Sequence, residues 1–163
     1  MHTPSKTVQF DGDLIMHRGG ALQSPTIAYE TWGTLKGAGE NAIILFTGLS
    51  PSAHASSTQG NPAAGWWEEM IGSGLPLDTD RYFVICINSL GSCFGSTGPA
   101  SIDPATGEFY RLTFPTLSLE DVAAGGYEVM RQLGLDKIHT TIGCSMGGMS
   151  ALAFCVRHPE LGG

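Results

Sequence analysis

The pentapeptide Gly143-Cys144-Ser145-Met146-Gly147 carries the clearest chemical signal in this sequence. Its form, G-x-S-x-G, is typical of a serine nucleophile held at the apex of a sharp strand-to-helix turn. The residues two positions before and two after that serine must be small, because the backbone folds back on itself there, and both are glycine. The pattern therefore predicts Ser145 as a covalent nucleophile, with an ordinary helix N-cap in a tight turn as the alternative.

A nucleophile of this kind needs backbone N–H groups that stabilise the oxyanion formed when it attacks a carbonyl group. The N–H of Met146 would begin the following helix and point at that oxyanion, with the helix dipole behind it. We expect the second donor in the loop Gly48-Leu49-Ser50-Pro51, which directly follows a predicted buried strand ending at Thr47.

Serine activation also requires a general base and an acid that orients this base. In the chain order that accompanies such a turn, the acid and then a histidine follow the serine, and only His158 and Glu160 follow Ser145. His158 lies at the far end of the helix that Ser145 begins, about 20 Å away, and cannot reach back.

The upstream histidines are placed no better as bases. His139 lies on the strand that leads to the turn, and His2 and His17 lie in the N-terminal region. His54, in the loop after Leu49, is nearest to the expected pocket, and a loop role is favoured for it over a base role. The sequence thus predicts a nucleophile without a triad partner.

Apolar patterning predicts the strands that position these loops. Continuous apolar runs at residues 41–47 and 82–88 are typical of strands buried on both faces, and residues 138–142 form a weaker strand before the turn. Residues 8–14 and 26–32 are expected to form an early antiparallel pair.

Helical periodicity separates these strands. One helix follows Ser118 as N-cap and ends before Gly134, a second runs from Gly147 to Pro159, and a shorter one is expected at residues 66–71. Two consecutive glycines inside the first helix indicate that it packs closely there. This alternation predicts an α/β protein with a mostly parallel sheet and flanking helices.

Composition excludes several classes of function. Eight Lys and Arg against fifteen Asp and Glu give a net charge of −7, which argues against nucleic-acid binding. No apolar run reaches the length of a membrane span, and the first residues do not form a secretion signal. The four cysteines form no C-x-x-C pair and no cluster has metal-ligand spacing, so we expect buried free thiols, a cytoplasmic location and no metal.

Six sequence blocks stand in a fixed order along the chain: YETWG at residues 29–33, GWW at 65–67, DTDRYFV at 78–84, NSLGSC at 88–93, GSTGPAS at 95–101 and SMGGM at 145–149. In content and order they resemble the α/β-hydrolase-fold amino-acid O-acyltransferases, the family of homoserine O-acetyltransferase and serine O-succinyltransferase. The resemblance extends from about Val8 to Pro159.

This resemblance implies an α/β-hydrolase fold and acyl transfer from acyl-CoA, either succinyl-CoA or acetyl-CoA, to the hydroxyl of serine or homoserine, in cysteine or methionine synthesis. Ser145 would attack the thioester, the N–H groups of Leu49 and Met146 would hold the oxyanion, and the loop Gly48-Leu49-Ser50-Pro51 would contact the substrate. It implies no permanently bound cofactor, and it allows a homodimer of the full-length protein.

Two features favour the serine O-succinyltransferase branch of this family. Residues 47–54 read TGLSPSAH where homoserine O-acetyltransferases carry a His-Ala-Leu-Thr-Gly type of loop, and Cys144 stands where those enzymes usually have glycine. The alternatives are a homoserine O-acetyltransferase, an esterase-type serine hydrolase and an inert truncated product.

Family members also continue well beyond the length of this chain. We therefore expect residues 1–163 to be the N-terminal part of a single α/β-hydrolase domain, truncated after the helix that follows Ser145. The C-terminal strands, the lid and the Asp and His of the triad would then be absent from this polypeptide.

Overall fold

The central sheet is formed by the apolar runs that the sequence predicts as strands. The computed structural model of the protein describes residues 6–162. Within them the strands are β1 (Lys6–Gln9), β2 (Leu14–Ile15), β3 (Ala21–Leu22), β4 (Thr26–Trp32), β5 (Ala42–Phe46), β6 (Ile71–Gly72), β7 (Leu77–Asp78), β8 (Phe83–Ile87) and β9 (Thr140–Gly143). The helices are α1 (Leu119–Gln132) and α2 (Met146–Arg157), with short 3₁₀ turns at Arg111–Thr113 and Pro159–Leu161.

The main sheet has the strand order β1-β4-β8-β5-β9. β1 and β4 form an antiparallel pair as predicted, but the first strand covers residues 6–9 and not 8–14, and β4 is also antiparallel to β8. β8, β5 and β9 are parallel, with Ile44 of β5 opposite Ile85 of β8 and Thr141 of β9. The carboxyl ends of these three strands therefore meet at one edge of the sheet, where a doubly wound sheet places its ligands.

Both α-helices pack on one face of the sheet. α1 begins after Ser118, whose N–H donates to the buried Asp121 carboxylate at 2.8 Å, and the chain leaves α1 through Gly134 at a φ of +72°. The paired glycines of α1 are packing positions, as expected: a Cβ on Gly126 would lie 2.5 Å from the Phe46 ring, and one on Gly125 would lie 2.9 Å from Ile27. Glycine thus lets α1 lie close against β4 and β5.

The opposite face of the sheet is covered by the chain between β5 and β8 rather than by a helix. The prediction of a helix at residues 66–71 is wrong, because this segment forms hydrogen-bonded turns that lead into β6. The Met70 carbonyl accepts the Leu77 N–H at 2.8 Å, and β6 pairs with β7. So short an apolar segment cannot offset the cost of helix nucleation, and its pairing with residues 77–78 decides its conformation.

Two surfaces of the described residues carry no packing partner. β9 pairs with β5 on one side only, so its other edge is open within residues 6–162. α2 exposes Met149, Leu152 and Val156, which are 53%, 66% and 71% accessible. None of the helices in this part of the chain is long and apolar enough to cross a membrane.

Replacement of Gly126 by alanine is expected to destabilise the fold. Alanine favours a helix by up to about 1 kcal/mol over glycine, but overpacking against the buried Phe46 ring costs about 1–3 kcal/mol. We expect Gly126→Ala to lower the free energy of unfolding by about 1–2 kcal/mol in urea titrations, since the second effect is larger.

Gly148→Ala is the matched control, because a Cβ on Gly148 of α2 would come no closer than 3.4 Å to any atom. It should leave stability unchanged or raise it. Equal losses in the two variants would contradict the packing argument, and partial recovery in the double variant Gly126→Ala, Phe46→Leu would support it.

Candidate active site

Ser145 lies at the apex of the turn between β9 and α2, as the G-x-S-x-G pattern predicts. Its φ of +56° and ψ of −123° belong to a region that residues other than glycine rarely adopt. A Cβ on Gly143 would lie 2.0 Å from the Gly147 carbonyl oxygen, and a Cβ on Gly147 would lie 2.2 Å from the Phe46 carbonyl oxygen. The turn therefore excludes every side chain at both flanking positions.

The turn is closed by its own backbone hydrogen bonds. The Gly147 N–H donates to the Cys144 carbonyl and the Gly148 N–H donates to the Ser145 carbonyl, each at 2.9 Å. These bonds hold the Ser145 side chain outward, and this residue is exposed. The geometry matches a nucleophile elbow and differs from an N-cap, because the Ser145 side chain makes no capping hydrogen bond.

The loop after β5 lies directly against this turn. A Cβ on Gly48 would be 3.4 Å from the Cys144 carbonyl oxygen and 3.6 Å from the Ser145 Cβ. Leu49 and Ser50 are exposed beside it, and Pro51 is half-buried. The structure thus brings Ser145 together with the predicted substrate-contacting loop.

The two predicted oxyanion donors are both available. Met146 is the first residue of α2, and Leu49 follows Gly48 in the loop beside Ser145. Within residues 6–162, neither residue's backbone N–H donates to a protein acceptor. Their roles in an oxyanion hole stay predictions, which this arrangement supports.

Polar contacts tie the loop after β5 to its surroundings. The Thr47 and Ser89 hydroxyls lie 3.3 Å apart, which links the loops that leave β5 and β8. The Trp66 indole N–H donates to the Ser52 carbonyl at 2.9 Å, and Ser52 Oγ accepts the His54 N–H at 3.2 Å. These bonds leave few conformations open to residues 47–54.

His54 is the polar residue whose role the sequence did not reveal. It is only 4% accessible, and its ring is held between the Glu30 carboxylate, 2.8 Å from Nδ1, and the Ala63 carbonyl, 2.9 Å from Nε2. The favoured loop role of His54 agrees with these contacts. Glu30 is the one acidic residue in the predicted strand TIAYETW. That isolated carboxylate is the sequence signal that could have indicated a partner for His54.

Burial lowers the pKa of His54, but the hydrogen bonds to Glu30 and to the Ala63 carbonyl, with the charges of Glu30 and Glu68, outweigh burial. The net result is a His54 pKa raised above its ordinary value. The protonated ring is therefore the form that suits this site, and a protonated ring cannot act as a general base.

The other histidines within the described residues are engaged away from Ser145. The His158 ring stacks on Tyr127 with centroids 4.1 Å apart, beyond the 12-residue helix α2. His139 packs against Tyr82, and the His17 ring lies 3.6 Å from the Glu120 carboxylate. His2 lies outside the described residues. No residue from 6 to 162 makes a hydrogen bond with Ser145 Oγ, and the expected lack of a triad partner stays a prediction.

The thiols near the turn are poor nucleophiles. Burial raises the pKa of Cys144, and burial together with the charge of Glu30 raises the pKa of Cys86 well above its usual range. The cysteines are unpaired, but Cys93 and Cys155 are exposed, so the expectation of buried thiols is right only for Cys86 and in part for Cys144. No group of three or more potential ligands in residues 6–162 could hold a metal ion.

The sheet order, the elbow after β9 and the glycine-lined loop after β5 together define a class of protein. A family model described as alpha/beta hydrolase fold matches residues 41–161. The chain belongs to the alpha/beta hydrolase fold family, and the predicted fold class is confirmed.

Within that class the chain is similar in sequence to curated proteins named as amino-acid O-acyltransferases. It is 62% identical over 152 residues to a serine O-succinyltransferase of Litchfieldella anticariensis, covering 93% of this chain and 41% of that protein. It is 55% identical over 157 residues to an L-serine/homoserine O-acetyltransferase of Streptomyces lavendulae, covering 96% and 42%. The chain thus spans about two fifths of the length of the curated relatives it matches.

Solved structures share the fold and include both transferases and hydrolases. The homoserine O-acetyltransferase from Bacillus anthracis superimposes with a TM-score of 0.85 at 32% identity, covering 98% of this chain and 45% of that one. Esterase E22 superimposes with a TM-score of 0.86 at 30% identity, covering 96% and 44%. The fold alone therefore does not separate acyl transfer to an amino acid from hydrolysis.

Relief of the strained backbone at Ser145 is expected to stabilise the protein. A residue other than glycine at this φ and ψ costs about 1–3 kcal/mol, and the lost backbone entropy of glycine takes back about 0.5–1 kcal/mol. Ser145→Gly should therefore raise the free energy of unfolding by about 1 kcal/mol over Ser145→Ala, measured by urea denaturation.

Ser145→Ala is the matched control, because it removes the same hydroxyl but keeps the Cβ and hence the strain. Equal stabilities of the alanine and glycine variants would show that the strain at this residue does not exceed the entropic cost of glycine, about 0.5–1 kcal/mol.

Proposed function

We propose that this chain is the nucleophile-bearing, N-terminal part of a single α/β-hydrolase domain that acts as an acyl-CoA-dependent O-acyltransferase. Its acceptor is the hydroxyl of serine or homoserine, with succinyl transfer to serine as the favoured reaction. The observation that carries the proposal is Ser145, held outward at φ +56° near two backbone N–H groups that have no acceptor within residues 6–162.

The proposed reaction proceeds through an acyl-serine. Ser145 Oγ attacks the thioester carbonyl carbon of acyl-CoA and loses its proton to a base, while the N–H groups of Leu49 and Met146 stabilise the oxyanion. The C–S bond then breaks, and the CoA thiolate leaves with that proton. In the second half, the amino-acid hydroxyl attacks the acyl carbon and gives its proton to the base, and Ser145 Oγ departs and takes up that proton.

The base in this scheme lies outside residues 6–162, since no histidine there makes a hydrogen bond with Ser145. The rest of a protein of the relatives' length has room for it, because this chain spans 41% of the Litchfieldella protein. The chain therefore supplies the nucleophile and the oxyanion donors, and another part of the full-length protein supplies the base and its acid.

The choice of substrates rests on the relatives. Several curated relatives at 59–62% identity carry the name serine O-succinyltransferase, and the Streptomyces relative at 55% acts on serine and homoserine by its name. We infer the same substrate class here, with acyl-CoA as a co-substrate. We also infer a cytoplasmic location, because the proposed reaction belongs to cysteine or methionine synthesis. The four unpaired cysteines suit such a reducing compartment.

A chimaera tests the proposal directly. Joining residues 1–163 to the C-terminal portion of the Litchfieldella relative should yield release of free CoA thiol from succinyl-CoA that depends on serine, followed with a thiol reagent. Ser145→Ala should lower the rate by at least about 10³-fold, because the covalent step is lost.

The acyl donor and acceptor are separated in the same assay by exchanging succinyl-CoA for acetyl-CoA and serine for homoserine. Faster release with acetyl-CoA and homoserine would favour the acetyltransferase alternative. A folded chimaera without acceptor-dependent release would overturn the proposal.

Hydrolysis is the second candidate, since esterase E22 has the same fold at 30% identity. Water and the amino acid would compete for the same acyl-serine, so the ratio of O-acyl product to free acid distinguishes them. For a transferase we expect this ratio to rise in proportion to serine concentration, as read by mass spectrometry. A ratio that stays near zero up to saturating serine would identify a hydrolase.

A further inference from the structure

We propose that His54 is a positioning residue: as an imidazolium held between Glu30 and Ala63, it fixes the loop after β5 so that the Leu49 N–H faces Ser145. The inference deepens the proposed function and rests on it for the part that concerns the oxyanion. The geometry of the loop itself stands independently of that function.

The protonation of His54 follows from its two partners. Nε2 lies 2.9 Å from the Ala63 carbonyl, which can only accept, and Nδ1 lies 2.8 Å from the Glu30 carboxylate, which also accepts. A proton on each ring nitrogen is the arrangement that satisfies both of these acceptors. The Asn61 amide nitrogen also lies 3.3 Å from Nδ1. The contact of Nδ1 with the Glu30 carboxylate is shorter, so we assign the Nδ1 hydrogen bond to Glu30. The raised pKa of His54 agrees with this assignment.

These contacts join the loop to the sheet at a buried point. Glu30 lies on β4, opposite Cys86 of β8, whereas His54 lies eight residues after the end of β5. His54 also donates its backbone N–H to Ser52 Oγ, and the Ser52 carbonyl accepts the Trp66 indole N–H. The ring thus holds residues 52–54 against β4, and the short stretch from Gly48 to Pro51 is fixed between that point and the elbow.

A charged group in this place makes the loop sensitive to pH. The charged groups that act on the ring are Glu30 on β4 and Glu68 in the turns after Gly65. Because the folded-state pKa of His54 is raised, the stabilisation is complete below its unfolded value of about 6.5 and is lost as pH rises through the folded value. The loop should therefore loosen on the alkaline side.

The test uses the 163-residue chain itself. Proton–nitrogen NMR spectra of the histidine rings should show both His54 nitrogens protonated at pH 7, with a titration midpoint above about 6.5. Hydrogen exchange of the amides of residues 49–57, corrected for its intrinsic pH dependence, should accelerate across the same midpoint. Glu30→Gln should lower that midpoint.

His54→Gln is expected to speed amide exchange in residues 49–57 at least ten-fold at pH 7 and to leave α1 unchanged. His17→Gln is the matched control, since His17 is exposed and lies near Glu120, away from the loop. An unprotonated Nδ1 at pH 7, or unchanged loop exchange in folded His54→Gln, would overturn the proposal. If His54→Gln does not fold, the His54 titration of the wild-type chain and the shift of its midpoint in Glu30→Gln test the proposal instead.

The catalytic part is measured in the chimaera. His54→Gln should lower kcat about 10–100-fold with little change in KM, because a displaced oxyanion donor acts on the transition state alone. In the parent chimaera, kcat should fall as pH rises through the His54 pKa. This fall should be absent from the His54→Gln chimaera. A wholly inactive chimaera would reject the proposed function and leave the NMR and exchange results to decide on His54.

Discussion

The close approach of the elbow backbone to the end of β5 is the constraint on which the site depends. No side chain fits at Gly147, because its Cα faces the Phe46 and Thr47 carbonyl oxygens, and none fits at Gly143, which faces Gly147. This contact forces the chain to reverse within a few residues, so Ser145 takes a φ of +56°. The same contact places the first N–H of α2 beside the loop that leaves β5. The predicted nucleophile Ser145 and the Met146 N–H, the first predicted oxyanion donor, are thus placed by backbone sterics before any side chain interacts.

Phe46 transmits this constraint to the core. Its carbonyl lies against Gly147, while its ring packs on Gly126 of α1 and lies 5.7 Å from the Phe154 ring of α2. The ring is 1% accessible, so it cannot move without opening a cavity in the close-packed interior. One residue therefore sets the spacing of both helices and of the elbow, and the glycine pair in α1 is a condition for the site as well as for the fold.

The sequence predicts the parts of this arrangement that arise from local pattern. Continuous apolar runs identify β5 and β8, and the glycine spacing identifies the elbow, because a fully buried strand and a sterically closed turn each demand particular residues in sequence. The prediction of a helix at residues 66–71 is wrong, because the apolar residues of this segment pack on the sheet through turns. Hydrogen bonds to residues 54, 55 and 77 hold these turns. His54 shows no local pattern at all. Its partner Glu30 is 24 positions away, and only the pairing of β4 with the rest of the sheet brings the two together.

The two sides of the site consequently rest on different physics. The elbow is held by van der Waals exclusion and backbone hydrogen bonds, and neither involves a titratable group. The loop that carries Leu49 is held by the buried pair of the His54 imidazolium and the Glu30 carboxylate, and by indole and hydroxyl contacts. When the His54 ring loses its proton, the Glu30 carboxylate is left buried without a compensating charge. Ser145 would keep its place while one of its two oxyanion donors moved. We therefore expect alkaline pH to act on this site through the loop and not through the position of Ser145.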